Sequence, residues 1–346
     1  MSSRLERLQA SLKQRLLVTN LVNIRWLTGF ETSNAALLVD PRGSAELFTD
    51  FRYIEAAGAI SGVEAVLAPR SLMVDLAGRL RGKIGFEADV LPWSQVEVLG
   101  SGGLELVPVI GAVEALRAVK DADEIGLVSR AARAAERAFE ALTAETWMGR
   151  SERELAWRLR TLMHAHGVDH LSFDTAVLAG ANGSKPHGEP DDTIIEHRML
   201  VTVDWGARLD GYCSDCTRTL STGEVPAKLR EIYDVCLEAQ LAAIDGIRPG
   251  MSGVEADGIA RKLIDDAGYG ENFGHGLGHG VGVAIHEAPR LSRESTDTLE
   301  AGNVITIEPG IYVPGVGGVR IEDLAVLRED GVVLLTSFRK DLITVG

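Results

Sequence analysis

"MLVTVDWGARLDGYCSDCTRTL", residues 199–220, is a pair of β-type runs joined by Asp210-Gly211. Asp-Gly between two such runs is a strong sign of a two-residue hairpin turn, because both central residues of that turn need positive φ. With Leu209 opposite Tyr212, facing residues have numbers that sum to 421, so Ala207 faces Ser214 and Gly206 faces Asp215. Side chains alternate along a strand, which puts Asp204 on the face of Gly206 and makes it a diagonal neighbour of Asp215, with β-carbons within about 7 Å. Two carboxylates that close repel each other unless something positive lies between them. A metal ion is the economical candidate.

Two further acids stand in apolar β-type runs, Glu308 in "NVITIEPGIYV" and Glu322 in "GGVRIEDLAVL". Burying an unpaired carboxylate costs several kcal/mol, so either one alone reads as an edge-strand surface residue. Four acids in this pattern, joined by histidines, point instead to a metal centre. "FGHGLGHGVGVAIHE", residues 273–287, supplies His275, His279 and His286. His275 and His279 are four apart, as in a helical zinc motif, but Gly276 occupies the position of that motif's glutamate. Glycines 274, 278, 280 and 282 also disfavour a helix. An extended or looped segment is expected, whose glycines let the backbone approach a crowded place closely.

The bulk numbers narrow the function class. A chain of 346 residues suggests two domains, each able to bury its own core. Its formal net charge of -15 argues against the basic surface that nucleic-acid binding needs, and favours small-molecule or peptide partners. The start, "MSSRLERLQASLKQRLL", carries charges every few residues and has no apolar core, so neither a signal peptide nor a membrane anchor is expected and the reading is cytoplasmic. Three cysteines, Cys213, Cys216 and Cys236, build no disulfide framework. The lone Cys213/Cys216 pair lacks a second pair or a following helix start, and reads as packing.

Residues 15–110 mix short β-type runs (LLVTN, ALLVD, AELFTD, KIGFEAD) with helical stretches and few candidate catalytic groups, which suggests an α/β domain. Asp121 with Glu124 forms a capping box opening a helix of about 25 residues. A boundary near Gly111 follows, giving domains of residues 1–112 and 113–346. The second part repeats itself. Ser151 with Glu154 and Ser252 with Glu255 are two capping boxes at an offset of 252 minus 151, or 101 residues, each opening an amphipathic helix that stops at a glycine, Gly167 or Gly268. A duplication would set two similar half-sites face to face.

The ordered set "GSKPHG", "VDWGARLDGYCSDCTRT", "GHGLGHGVGVAIHE" and "TIEPGIYVPGVGGVRIED" resembles the pita-bread metallopeptidases, in particular their Xaa-Pro branch, aminopeptidase P and prolidase. Upstream, "NIRWLTGF", "LFTDFRY" and "ALRAVKDADEI" resemble the smaller creatinase-like N-terminal domain of that branch and the linker that follows it. The fold class implied is α/β (α+β), a pita-bread domain preceded by a creatinase-like α/β domain. The resemblance implies metal ligands at Asp204, Asp215, His279, Glu308 and Glu322 for two divalent ions, Asp215 and Glu322 bridging them, Asp204 serving one, and His279 and Glu308 the other. All five are intact, unlike in creatinase, which shares the fold without the metal site. An oxygen-rich set with one imidazole favours manganese, with cobalt or zinc as alternatives.

The same resemblance makes Glu308 the proton shuttle, His187 and His286 the groups that steady the substrate carbonyl, and His275 part of the substrate pocket. Arg320 shares strand parity with Glu322, and either orients a metal-bound carboxylate or lies at the surface. Arg290 matches the free carboxylate of an Xaa-Pro dipeptide, or braces its loop. The expected activity is an Xaa-Pro aminopeptidase acting on peptides with proline second, with prolidase as the alternative within the class. A methionine aminopeptidase fits less well because of the extra N-terminal domain, and a non-catalytic binding module is opposed by the complete ligand set. A homodimer is expected from the resemblance alone.

Overall fold

The structure, a computed structural model, describes residues 3–346. It divides into two compact units, the first ending at Arg117 and the second running from Ala118 to Gly346. The division falls beyond Gly111 because the intervening residues are tied to the first unit: Arg117 Nη1 donates to Asn23 Oδ1 (2.6 Å), and Asn23 Nδ2 donates to Glu114 Oε1 (2.5 Å). No helix among the described residues is long and apolar enough to cross a membrane.

The first unit contains one sheet of six strands, β1 (Leu16–Val18), β2 (Ala35–Val39), β3 (Ala45–Thr49), β4 (Glu64–Leu67), β5 (Lys83–Glu87) and β6 (Glu105–Val109), in the order β4-β3-β2-β1-β5-β6. Only β2 runs against its neighbours. Helices α1 (Arg4–Ser11), α2 (Leu21–Thr28), α3 (Ile54–Ala57), α4 (Leu72–Arg79), α5 (Trp93–Ser101) and α6 (Glu114–Ala118) fill the connections. Leu17, Leu38, Phe48, Leu76, Ile84 and Leu99 form its core.

The second unit is built twice. Helices α7 (Ala122–Thr143) and α8 (Glu152–Ala165) precede the first set of strands, and α9 (Ala227–Gly246) and α10 (Gly253–Asp266) precede the second. α8 and α10 each have 14 residues, and Ser151 and Ser252 each close a full capping box with Glu154 and Glu255. Equivalent backbone bonds recur, Gly149 N to Ile195 O and Gly250 N to Leu299 O. The first strands are β7 (His170–Leu171), β8 (Ala176–Ala179), β9 (Leu200–Trp205), β10 (Ala207–Leu209), β11 (Tyr212–Cys213) and β12 (Cys216–Ser221). The second are β13 (Gly278–Gly280), β14 (Glu287–Leu291), β15 (Val304–Ile307), β16 (Gly310–Val313), β17 (Gly317–Arg320), β18 (Asp323–Arg328) and β19 (Gly331–Leu334). Each half packs a helix pair on its own strands over its own core, one around Phe139, Leu159, Val203 and Trp205, the other around Ile232, Ile264, Ile305 and Leu327.

The hairpin at the start of the argument has the expected register. Leu209 pairs with Tyr212, Cys216 with Trp205 and Thr217 with Asp204. Asp210 and Gly211 adopt φ of 50° and 86°, the left-handed pair that an Asp-Gly turn supplies. Between β9 and β10 the ladder is interrupted at Gly206, where an added Cβ would stand 2.3 Å from Ser214 O and 2.6 Å from Phe173 Cε1. Beside it the buried Trp205 stacks on Phe139 with ring centroids 3.8 Å apart. Gly206→Ala is therefore expected to overpack this corner and cost about 1–3 kcal/mol. Denaturant unfolding of the metal-free protein measures this, and an unchanged midpoint would show that the corner yields.

Candidate metal centre

The structure gathers the five expected ligands at the ends and gaps of strands from both halves. Asp204 lies in β9, Asp215 in the gap between β11 and β12, and Glu322 in the gap between β17 and β18. One carboxylate oxygen from each lies within 4.8 Å of the others. His279, on β13, brings Nε2 to 3.7 Å from Asp215 Oδ2 and 3.4 Å from Glu308 Oε1. Glu308 and Glu322 stand just outside the strands rather than within them, Glu308 after β15 and Glu322 before β18. A side chain leaving a strand end reaches the space between two sheets, which one inside a ladder faces only at fixed intervals.

The duplication explains the placement. Facing residues sum to 421 in the first hairpin and to 630 in the second, as Ile307 with Asp323 and Gly310 with Arg320 show. In element order β11 and β12 answer to β17 and β18, so Asp215 and Glu322 stand in corresponding gaps. The two hairpins meet across the centre: Arg320 Nη2 donates to Asp204 Oδ2 (2.6 Å), Thr217 Oγ1 to Glu322 Oε2 (2.6 Å), and Arg320 Nε to Thr217 Oγ1 (3.1 Å).

The histidine segment is extended, and its glycines allow close approach. A Cβ on Gly278 would lie 2.1 Å from Thr306 O, and one on Gly280 2.2 Å from Ala288 O. The pairing of β13 with β14 shifts register between His279 and Gly280, a bulge of the kind that re-aims a side chain next to a site. His279 Nδ1 lies 3.1 Å from Gly280 O, which makes it the protonated nitrogen and leaves the Nε2 lone pair facing the carboxylates.

The electrostatics call for a cation. Burial, then the charges of Glu322, Asp204 and Glu308, hold the Asp215 carboxyl well above the usual carboxylate range. Burial, then Glu308 and Asp204, does the same to Glu322, and burial raises Glu308. Asp204 Oδ1 is buried with no hydrogen-bond partner among the described residues. Hard oxygen donors, one neutral imidazole and an orphaned carboxylate oxygen fit a divalent ion pair.

Residues that the sequence did not single out support this set. Burial pushes the Tyr312 phenol up to about 12, so it stays protonated. It accepts from Arg320 Nη1 (2.8 Å) and lies 2.9 Å from His275 Nε2, to which it donates, because arginine offers no acceptor. His275 Nδ1 lies 2.8 Å from Gly276 O, so this ring is neutral, in keeping with a pKa lowered first by burial. Gly310 pairs with Arg320, making Tyr312 the diagonal neighbour of Arg320. That register was the available signal.

The remaining expected residues are exposed. His187 and His286 are exposed and occupy equivalent loops, the one after β8 and the one after β13. His286 sits with its ring centroid 4.4 Å from that of His279, and partial desolvation followed by His279, Arg290 and His187 lowers its pKa. Arg290 is exposed, and its guanidinium makes no hydrogen bond or ion pair with the described residues. Cys213, Cys216 and Cys236 are buried and joined in no disulfide, and burial pushes Cys236 up to about 12, as suits packing thiols.

Residues 126–329 match the profile of Metallopeptidase family M24, and residues 4–119 match the Creatinase/Prolidase N-terminal domain. The chain belongs to metallopeptidase family M24. Members of M24 are dinuclear metal enzymes, and the architecture is the pita-bread domain with a creatinase-like N-terminal domain that the motifs implied. The chain is 35% identical to an Xaa-Pro dipeptidase of Pyrococcus furiosus over 99% of its own length and 100% of that protein's. Among solved structures it resembles an Xaa-Pro dipeptidase from Bacillus anthracis (TM-score 0.95, 39% identity, 99% of each chain). It also resembles an X-Pro aminopeptidase from Thermotoga maritima (TM-score 0.90, 31% identity, 99% of this chain and 100% of that one).

The raised carboxyl pKa values set a pH dependence. In the metal-free fold these groups keep protons that the unfolded chain has released, so their contribution to stability is present at low pH and lost as pH rises through their raised values. A divalent ion removes that penalty, and protons compete with it wherever the pH lies below those raised values. The gain in Tm from saturating manganese over chelator is expected to grow as pH rises from about 5 to about 8. Differential scanning fluorimetry measures it, and a gain independent of pH would contradict the electrostatic account.

Proposed function

We propose that the chain is an Xaa-Pro exopeptidase, hydrolysing the bond between an N-terminal residue and a following proline with two divalent ions, manganese foremost. The reading rests on the convergence of Asp204, Asp215, His279, Glu308 and Glu322 with an orphaned Asp204 oxygen at their centre. These five residues would hold the ions. When bound, such a pair supplies Lewis acidity and lowers the pKa of water toward neutrality.

The rest is done by the chain's own side chains. Glu308, raised in pKa by burial and steadied by Thr306 Oγ1 at 3.0 Å, is suited to hold a proton at its carboxylate and pass it to the leaving nitrogen. His286 and His187, both exposed, would donate to the carbonyl oxygen as negative charge develops there. Tyr312 occupies His275 Nε2, so His275 shapes the wall of the pocket and does not donate to substrate through that atom. A bond preceding proline is a tertiary amide whose nitrogen carries no proton, so recognition falls to the termini and the ring.

The dipeptide form is favoured by Arg290, whose guanidinium has no carboxylate partner among the described residues and lies close enough to lower the pKa values of His279 and His286. A guanidinium there suits a free C-terminal carboxylate as a fork. The aminopeptidase form, in which longer peptides with proline second are cleaved, is the second reading and is supported by the similarity to the Thermotoga maritima enzyme.

Comparing kcat/KM for Xaa-Pro, Xaa-Pro-Xaa and longer peptides with manganese separates the two. Arg290→Ala is expected to lower kcat/KM for dipeptides by about 10-fold or more, the loss of a charge-assisted hydrogen bond, and to leave longer peptides unchanged. An unchanged preference would end the clamp. Asp215→Asn, by removing a charged oxygen from the set that would hold the ions, is expected to reduce turnover by about 10³ and lower bound metal below two ions per chain. Near-normal activity at reduced metal content would remove Asp215 from that role.

A further inference from the structure

The two halves of the second unit start their second helices alike, but differ at a buried position there. The first residue of α8 is Glu152, fully buried, whereas the first residue of α10 is Gly253. A Cβ at Gly253 would stand 2.1 Å from Arg290 O, so the second half has no room for a side chain there. Both helices start with the same serine and glutamate capping box, so Glu152 is not needed to start α8.

A buried carboxylate persists only where several donors satisfy it. Glu152 has three: Ala179 N (2.5 Å) at Oε1, and Asn182 Nδ2 (2.7 Å) and Asp191 N (3.0 Å) at Oε2. Ala179 ends β8, and Asp191 lies beyond the loop that carries His187. The two ends of that loop and one residue inside it are therefore gathered on a single carboxylate. Asn182 Oδ1 accepts from Lys185 Nζ (2.8 Å), and Gly188 N donates to Lys185 O (3.0 Å), which folds the chain around His187. Next to that histidine, Pro186 O accepts from Arg320 Nη1 at 3.2 Å, the same guanidinium that holds Asp204.

We infer that Glu152 is a positioning residue for His187, fixing the loop on which that imidazole is presented to the substrate carbonyl. The inference rests on the reading of His187 as a carbonyl donor, and Glu152 itself touches neither substrate nor metal ligand. Glu152→Gln keeps the shape but sets an amide N–H₂ against the backbone N–H of Ala179 or of Asp191, which can only donate. Its consequence is misplacement of His187, not loss of the ion site.

A double-mutant cycle with His187→Ala tests this on the full chain loaded with manganese, with an Xaa-Pro dipeptide as substrate. Glu152→Gln is expected to lower kcat/KM by about 10-fold, in the range for groups that orient an active side chain, with bound metal unchanged. In the His187→Ala background the same change is expected to alter kcat/KM by less than about twofold, the usual scatter of additive effects. Full additivity, with His187→Ala itself damaging, would overturn the inference and leave the role of His187 standing. A silent His187→Ala would overturn both. Loss of metal in Glu152→Gln would also overturn it, since the effect would then be on the ion site. Should Glu152→Gln fail to fold, Glu152→Asp, which keeps the charge and shortens the reach, goes through the same cycle with the same criteria.

Discussion

Crowding four carboxylates around one imidazole sets the terms for everything else in the second unit. Buried together, Asp215, Glu308 and Glu322 are held above the ordinary carboxylate range, first by burial and then by the charges of neighbouring acids. Three of the four are steadied from outside the cluster, by Arg320, Thr217 and Thr306. The orienting bond fixes the rotamer and leaves oxygen free for a cation. Such a cluster survives only on a scaffold stiff enough to resist its own repulsion, which two separate apolar cores supply.

Chemistry arises here from departures within a repeated plan. Each hairpin places an acid in the gap of its returning strand, Asp215 or Glu322. The groups that orient the acids differ between the copies, Thr217 of the first bonding Glu322 and Arg320 of the second bonding Asp204. Arginine and threonine in opposite copies turn two like sites into one complementary site. The asymmetry of Glu152 and Gly253 follows the same logic at the edge.

Much of this was readable along the chain, for definite reasons. Asp-Gly admits few turns, so one pairing dictated a register that holds from Leu209 with Tyr212 to Ser221 with Leu200. Capping boxes are local, so α7, α8 and α10 begin where Asp121, Ser151 and Ser252 indicated. What escaped notice depends on contacts between residues far apart. Tyr312 is an unremarked aromatic in a β-type run until its hairpin brings it to Arg320. Glu152 looks like part of an acidic first turn until residues 179–191 fold back onto it. The edge strands β4 and β6 are half exposed, whereas β2 is buried along its whole length.

The side chains proposed to hold the ions are divided between the halves, Asp204 and Asp215 in the first, His279, Glu308 and Glu322 in the second. During synthesis, at about 5–20 residues per second, Asp215 leaves the ribosome roughly five to twenty seconds before Glu322. Until the last hairpin closes, a nascent chain offers passing metals only a pair of acids with weak affinity. Ion capture is thus deferred to the final stage of biogenesis, and a truncated product lacking that hairpin would emerge without a hydrolytic centre to misdirect.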